Sequence, residues 1–163
     1  MNIEEYLSFE NDLIIEKFGK KRRPFIILFS DSLPILCQEY EKFFGKSAKG
    51  ILNICFYELG KSTAQSMISN YEYKNLENFF ENLKNIGINF RWYEDLTFKR
   101  DEKCFLIETK NNFFVKNDLK SCEYLSKWFA GMISVCLLKE FDGIEESCQI
   151  DNKKSCRFKI FQR

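Results

Sequence analysis

The spacing of apolar residues changes from helical to alternating in the middle of this chain. Between residues 76 and 86 the apolar residues fall at i, i+3, i+4, i+7 and i+10, on one face of a helix: Leu76, Phe79, Phe80, Leu83 and Ile86. Gly87 is expected to end this helix. The segments 89–98 and 103–110 instead have the composition of two strands joined by a polar turn. The chain is therefore restricted to folds that combine helices with a small sheet.

Polar caps and glycines mark two earlier helices. The first is predicted to run from a cap at Asp31 or Ser32 to a stop at Gly45, and the second from Ser47 to about Ser69. Both precede the helix at residues 76–86. Helices therefore dominate the first half of the chain.

A long helix and a hairpin are predicted in the last third. Asp118 can cap a helix that reaches about Glu140. Its inward residues would be Cys122, Leu125, Phe129, Met132, Ile133 and Cys136. Strands at 141–150 and 156–161 would flank the polar turn 151–154. The predicted fold class is α+β, with the helices packed on one face of a small, mainly antiparallel sheet.

The composition excludes several kinds of chemistry. The 163 residues include no histidine, which rules out a Ser-His-Asp triad, a Cys-His dyad and imidazole metal ligands. Lysine and arginine number 25 against 24 acids, a net charge of +1 that argues against direct nucleic-acid binding. We interpret the basic run at residues 20–23 as a solvated turn.

The N-terminal region has no signal-peptide pattern and the chain has no apolar stretch long enough to span a membrane. We therefore expect a cytoplasmic protein. Residues 1–163 are predicted to form a single domain, in which 1–23 are an N-terminal extension and 25–29 a buried strand. Disulfides are disfavoured in the cytoplasm, so the seven cysteines need another explanation.

Three cysteines and a glutamate could form a metal site at the C-terminal end. Glu145, Cys148 and Cys156 follow the pattern E-x2-C-x7-C across the predicted hairpin, and Cys122 lies near the start of the preceding helix. Three thiolates and one carboxylate would suit a closed tetrahedral zinc site. In a regular strand, however, Glu146 would share the face of Cys148, and Glu145 would need a bulge or a strand end between the two residues.

The proposed metal site would carry a net negative charge. Its formal charge with zinc would be −2, which Lys153, Lys154 or backbone N–H groups could offset. The alternative is that all seven cysteines are small hydrophobic residues of the core. The sequence leaves both explanations open.

The same residues resemble a known family. The pattern Cys122-x3-Ser126, the stretch 129–132 (FAGM), and E-x2-C-x7-C-x-F from Glu145 to Phe158 are similar to the C-terminal signature of the 4-vinyl reductase domain. The stretch 37–69 is similar to the paired helices of that family. The resemblance covers most of the chain after about residue 24, although the hairpin turn lacks the usual glycine.

The resemblance implies a mixed α/β domain related to a trafficking-complex subunit, generally dimeric, that often senses small apolar or aromatic molecules. It also implies a structural zinc bound by three cysteines and a glutamate. By motif match these are Cys122, Glu145, Cys148 and Cys156. Phenol itself is not implied, because no ligand-contacting residue of the phenol sensors can be matched.

Pocket residues can be suggested only from their chemistry, since apolar sites favour aromatic walls. The candidates are the two tryptophans, Trp92 and Trp128, and four aromatic residues near the predicted sheet, Phe90, Tyr93, Phe113 and Phe114. The alternative is that these aromatic side chains simply pack the core.

Three functions follow from these observations. The favoured one is a binding or sensing module for a small apolar molecule that reports to a separate signalling protein. The second is a reductase or carrier for a vinyl-bearing pigment precursor, but no G-x-G-x-x-G fingerprint or phosphate loop is present, and a closed zinc site has no open position. Catalysis is therefore the less favoured reading. The third is an assembly subunit, by analogy of fold alone.

Overall fold

The described residues, 32–70, 73–116 and 122–163 of a computed structural model, form five helices and four strands. The helices are α1 (Ser32–Phe44), α2 (Lys46–Asn70), α3 (Leu76–Asn89), α4 (Phe113–Lys116) and α5 (Glu123–Leu137). The strands are β1 (Asp95–Arg100), β2 (Cys104–Lys110), β3 (Phe141–Ser147) and β4 (Cys156–Gln162). The expected N-terminal extension 1–23, the strand 25–29 and the cap Asp118 lie outside the described residues.

The four strands form one antiparallel sheet in the order β1-β2-β4-β3. Alternate residues of β4, Cys156, Phe158 and Ile160, are buried beneath α5, whereas Arg157 between them is exposed. This arrangement confirms the predicted α+β class with helices on a small antiparallel sheet. In the described ranges, no helix has the length and apolar character that crossing a bilayer requires.

Helix α5 lies between α2 and the sheet, and glycines allow the close approach. A Cβ atom on Gly60 of α2 would lie 2.0 Å from the carbonyl oxygen of Trp128, and one on Gly131 of α5 would lie 2.1 Å from that of Tyr57. On the sheet side, a Cβ atom on Gly143 would lie 2.4 Å from the oxygen of Ser126. Larger side chains at these points would force the layers apart.

Helix ends follow the predicted signals in part. Gly45 separates α1 from α2 with a φ of 55°, as predicted from the sequence. Gly87 does not end α3, which continues to Asn89. A Cβ atom on Gly87 would lie 2.1 Å from the ring of Tyr93, so this glycine makes room for an aromatic side chain instead.

Two predicted strands are shorter than expected. Residues 90–94 form a turn, in which Trp92 N–H donates to the oxygen of Gly87, and β1 begins only at Asp95. The strand predicted at 141–150 ends at Ser147 and is followed by a 3-10 turn. Helix α5 likewise ends at Leu137, before the predicted Glu140, because Leu138 adopts a left-handed conformation with a φ of 54°. The short helix α4 was not predicted.

Candidate metal centre

The side chains of Cys122, Glu145, Cys148 and Cys156 meet at the end of the sheet. Cys122 immediately precedes α5, Glu145 lies on β3, Cys148 follows β3, and Cys156 begins β4. Their ligand atoms all lie within 4.8 Å of one another. The structure therefore brings together four residues that span 34 positions of the sequence.

An irregularity in β3 selects Glu145 over its neighbour. Glu145 and Ser147 pair with consecutive residues of β4, so Glu146 is the extra residue of a β-bulge. The bulge reverses the alternation of side chains, which turns Glu145 to the same side as Cys148. Glu146 is exposed. This is the geometry that the sequence required for Glu145 to approach the cysteines.

The sulfur atoms have the spacing that a tetrahedral metal site requires. The Sγ atom of Cys148 lies 3.5 Å from those of Cys122 and Cys156, and the remaining sulfur pair is 3.6 Å apart. A tetrahedron with Zn–S bonds of about 2.3 Å has sulfurs about 3.8 Å apart. All three cysteines are free and buried. The group fits a four-coordinate metal ion and could hold one.

Contacts among the sulfurs shift the pKa values of Cys122 and Cys156 in opposite directions. Contacts with Cys122 and Cys148 lower the pKa of Cys156 to about 4, and the N–H of Gln149 acts in the same direction. Contacts with Cys148 and Cys156, together with burial, raise the pKa of Cys122. The thiolate is the form of cysteine that binds metals.

Backbone N–H groups contact the metal group. The N–H of Gln149 donates to Sγ of Cys156 at 3.4 Å. Lys153 and Lys154, which the sequence suggested as alternatives, lie in the exposed turn between the strands. Such N–H···S contacts stabilise negative charge on sulfur without a full counter-charge.

The sequence analysis missed two asparagines beside the metal group. Asn112 is fully buried, with Oδ1 3.5 Å from Sγ of Cys122, and the same oxygen accepts the N–H of Phe114 and so caps α4. Asn111 before it has a φ of 45°. The signal was the Asn-Asn pair at the end of a predicted strand, because asparagine favours both left-handed turns and helix caps.

Four of the predicted pocket aromatics gather near the start of β1. The ring centroids of Trp92 and Trp128 are 5.7 Å apart at 76°, and Phe90 stacks on Trp92 at 5.8 Å. The N–H of Phe113 donates to the oxygen of Trp92 at 2.8 Å. Phe90, Trp92 and Phe113 are half-buried, whereas Trp128 is buried. We call these four residues the aromatic cluster (Phe90, Trp92, Phe113 and Trp128): three are joined by ring contacts, and Phe113 is joined to Trp92 through its backbone.

The other two candidates are part of the core. Tyr93 is buried and its hydroxyl donates to the oxygen of Leu83 at 2.7 Å. Phe114 is fully buried and lies 5.8 Å from Phe56, centroid to centroid. A polar depression of about 170 Å³ lies elsewhere, on the open face of the sheet. It is lined by Asp95, Thr97, Lys99, Glu108, Lys110 and Ser155.

Comparison with solved structures identifies the fold. The phenol-responsive sensory domain of the transcription activator PoxR, solved with phenol, matches with a TM-score of 0.63 and 15% identity over 86% of this chain and 78% of its own. A vinyl-4-reductase family protein from Methanocaldococcus jannaschii matches with a TM-score of 0.57 and 18% identity over 100% and 96%.

A third solved structure also matches. Subunit 3 of the trafficking protein particle complex from Naegleria fowleri, covalently bound to palmitic acid, has a TM-score of 0.51 and 12% identity over 80% of this chain and 94% of its own. No protein-family model and no curated protein matches the sequence. The chain thus has the fold of a vinyl-4-reductase family protein, as the resemblance predicted.

Proposed function

We propose that this protein is a binding module for a small apolar or aromatic molecule, stabilised by a structural zinc ion. The observation that carries the proposal is the placement of two features in one fold. A buried group of three thiols and a carboxylate lies at one end of α5, and an aromatic cluster with three half-buried rings lies along the same helix at Trp128.

Zinc is the metal that this donor set favours. Thiolates prefer soft or borderline metals, and zinc accepts three thiolates and a carboxylate in tetrahedral geometry. Cys122, Glu145, Cys148 and Cys156 would hold it. When bound, the ion would cross-link the start of α5 to the last hairpin. Four protein ligands leave no open coordination position for a substrate. The contribution of the ion is therefore to folding.

The aromatic cluster is the proposed ligand site. Trp92 and Trp128 meet edge to face, a geometry in which a flat apolar molecule can contact one ring face and one ring edge. Phe90 and Phe113 would form its outer wall. The hydrogen bond from the Tyr93 hydroxyl to the oxygen of Leu83 would fix the turn at residues 90–94 against α3. The fold shared with a phenol-responsive sensory domain supports a sensing role. The report to a signalling partner would come from a separate protein.

A homodimer is proposed on the outer face of α1 and α2. Eight large apolar side chains of these helices are at least 44% exposed: Ile35, Leu36, Phe43, Phe44, Ile51, Ile54, Leu59 and Ile68. Together they expose on the order of 800 Å², the area that one partner contributes to a standard interface. Exposed apolar area of this size is typical of association sites.

Native mass spectrometry with metal analysis tests the zinc and the ligand together. We expect about one zinc per chain and additional mass from an apolar molecule, and we expect an aromatic probe such as indole to raise the melting temperature. Cys148→Ser should lose the zinc and unfold at a lower temperature, whereas Cys55→Ser, at an exposed cysteine, should change neither. Metal-free protein with an unaltered Cys148→Ser variant would overturn the zinc site. No bound molecule and no stabilising probe would overturn the binding function.

A reductase or carrier for a vinyl-bearing pigment precursor is the second candidate, favoured by the match to a vinyl-4-reductase family protein. A reductase would consume a reduced nicotinamide or flavin cofactor in the presence of a vinyl-substituted tetrapyrrole. Oxidation of the cofactor in step with loss of the vinyl group would replace the binding proposal.

A further inference from the structure

The residue that follows Cys148 contacts the metal group and a distant loop at once. The backbone N–H of Gln149 donates to Sγ of Cys156 at 3.4 Å. Its side chain makes two bonds to Asn111, where Oε1 accepts the backbone N–H at 2.6 Å and Nε2 donates to Oδ1 at 3.2 Å. The two residues are 38 positions apart, so this amide clasp (Asn111 and Gln149) exists only in the folded chain.

The loop on the other side of the clasp is fixed at several points. Asn111 has a φ of 45° and donates through Nδ2 to Glu94 at 2.6 Å. Asn112, the next residue, is fully buried between Thr109 and Cys122, with its Oδ1 atom 3.5 Å from the sulfur. Two neighbouring asparagines therefore reach two of the three cysteines, one directly and one through Gln149.

The same loop continues into the aromatic cluster. The N–H of Phe113 donates to the carbonyl oxygen of Trp92 at 2.8 Å, and the Trp92 ring lies 5.7 Å from that of Trp128. Residues 111–113 thus contact the metal group at one end and Trp92 at the other. These contacts form a continuous path from the cysteines to the turn that carries Trp92, which is the kind of network that can carry energetic coupling between two sites.

We propose that the Asn111–Gln149 clasp positions the backbone N–H of Gln149 in the outer coordination layer of the metal centre and couples the centre to the ligand site at Trp92. This inference rests on the proposed function, since it requires a metal at the cysteine group. Residues in such a layer orient the ligand atoms, and their loss typically lowers metal affinity by about 10–100-fold. The clasp also makes the position of Trp92 dependent on the geometry of the metal centre.

Metal affinity tests the first half of the proposal. Gln149→Ala removes both side-chain bonds, and Asn111→Gly removes the side chain while it tolerates the positive φ. The matched control is Asn152→Gly, at an exposed position of the final hairpin with a φ of 61°. In competition with a chelator, we expect zinc affinity to fall by about 10–100-fold in the two clasp variants and to remain unchanged in the control. Equal affinity in all variants would overturn this half.

A spectroscopic measurement tests the coupling. In protein labelled with 5-fluorotryptophan, fluorine NMR resolves the two tryptophans, and Trp92→Phe assigns them. We expect the Trp92 signal to differ between the zinc-loaded and the cadmium-loaded protein, because cadmium–sulfur bonds are longer, and we expect the difference to vanish in Asn111→Gly. A difference that persists in this variant, or one that is absent from the unmodified chain, would overturn the coupling alone. A chain that binds neither metal would instead overturn the metal centre itself.

Discussion

The backbone N–H of Cys122 donates to Oε2 of Glu145 at 3.1 Å. This bond joins the start of α5 to the bulge in β3 across 23 positions of sequence. The first N–H groups of a helix have no partner within the helix, and a carboxylate beside them is also favoured by the helix dipole. Glu145 therefore anchors the helix that positions Cys122, in addition to its proposed role as a metal ligand.

Substitution of Glu145 separates these two roles. Glu145→Gln keeps an oxygen that can accept the N–H of Cys122 but removes the carboxylate charge. We expect zinc affinity to fall by at least about 10-fold, because a neutral amide oxygen is a weaker zinc ligand, while the apo protein loses about 1 kcal/mol or less. Isothermal titration with zinc and denaturant unfolding of the apo protein measure the two effects.

Glu146→Gln is the control for this change, since Glu146 is exposed and lies one residue away. It should leave zinc affinity unchanged. If Glu146→Gln weakened zinc binding and Glu145→Gln did not, the assignment of Glu145 as the metal ligand would be wrong.

The contact between α2 and α5 depends on glycine. We expect Gly60→Ala and Gly131→Ala to destabilise the protein by about 1–3 kcal/mol or more, because each added methyl group would meet a backbone oxygen of the opposing helix. Gly50 lies on α2, like Gly60, but has open space around it, so Gly50→Ala should stabilise the protein by about 0.5–1 kcal/mol. Urea unfolding of the three variants gives the comparison, and equal effects at Gly60 and Gly50 would contradict it.

Asp142 should make the stability depend on pH. Burial opposes its ionisation, but hydrogen bonds from Lys127 Nζ at 2.7 Å and from the N–H of Gly143 outweigh burial and hold the pKa of Asp142 below its ordinary value. Because the folded-state pKa lies below the unfolded value of about 3.9, the stabilisation is fully present above that pH. It is lost as the pH falls through the folded-state value.

We therefore expect Asp142→Asn to cost about 1 kcal/mol at pH 7 and progressively less below pH of about 4. The measurement is the difference in unfolding free energy between the variant and the unmodified chain from pH 7 down to below pH of about 4. Any contribution of the metal centre is common to both proteins and cancels in this difference. Glu81→Gln, on the exposed surface of α3, serves as the control. A difference that stays constant with pH would contradict the assignment.

The dimer proposal predicts that charge on the outer face of α2 separates the protomers. Ile54 is 67% exposed and Phe43 on α1 is 80% exposed. Ile54→Lys and Phe43→Lys should give monomers by size-exclusion chromatography with light scattering, because burial of an unpaired ammonium is unfavourable. Thr97→Lys, on the open face of the sheet, should stay dimeric. If the unmodified chain is itself a monomer, the dimer is excluded and this apolar face has another partner.

Local pattern predicted most elements of the fold. The stripe from Leu76 to Ile86 is a helix, and Gly45 divides the first two helices, because apolar spacing and a left-handed glycine act within a few residues. Gly87 was assigned wrongly for a reason that no local pattern contains. Its neighbour in space is the ring of Tyr93, so the absence of a side chain serves packing and not a helix end.

The turn at residues 90–94 and helix α4 show the same limit. The sequence NFRWYEDLTF has strand composition, yet β1 begins only at Asp95, because Trp92 N–H is bonded to Gly87 at the end of α3. Helix α4 has four residues and too few apolar positions to show a period, and its cap Asn112 is recognisable only as a polar residue after a strand.

The sequence by itself determined the chemistry of the candidate metal centre. Without histidine, only thiolates and carboxylates remain as strong ligands, and the spacing of Cys148 and Cys156 placed two of the thiols across one hairpin. The tertiary structure decided which carboxylate joins them. Pairing of β3 with β4 forces one extra residue into β3, and this bulge turns Glu145 inward and Glu146 outward. A strand's alternation is local, but its register depends on the neighbouring strand, so the folded sheet supplies the physical reason for a choice that strand periodicity opposed and only the family resemblance implied.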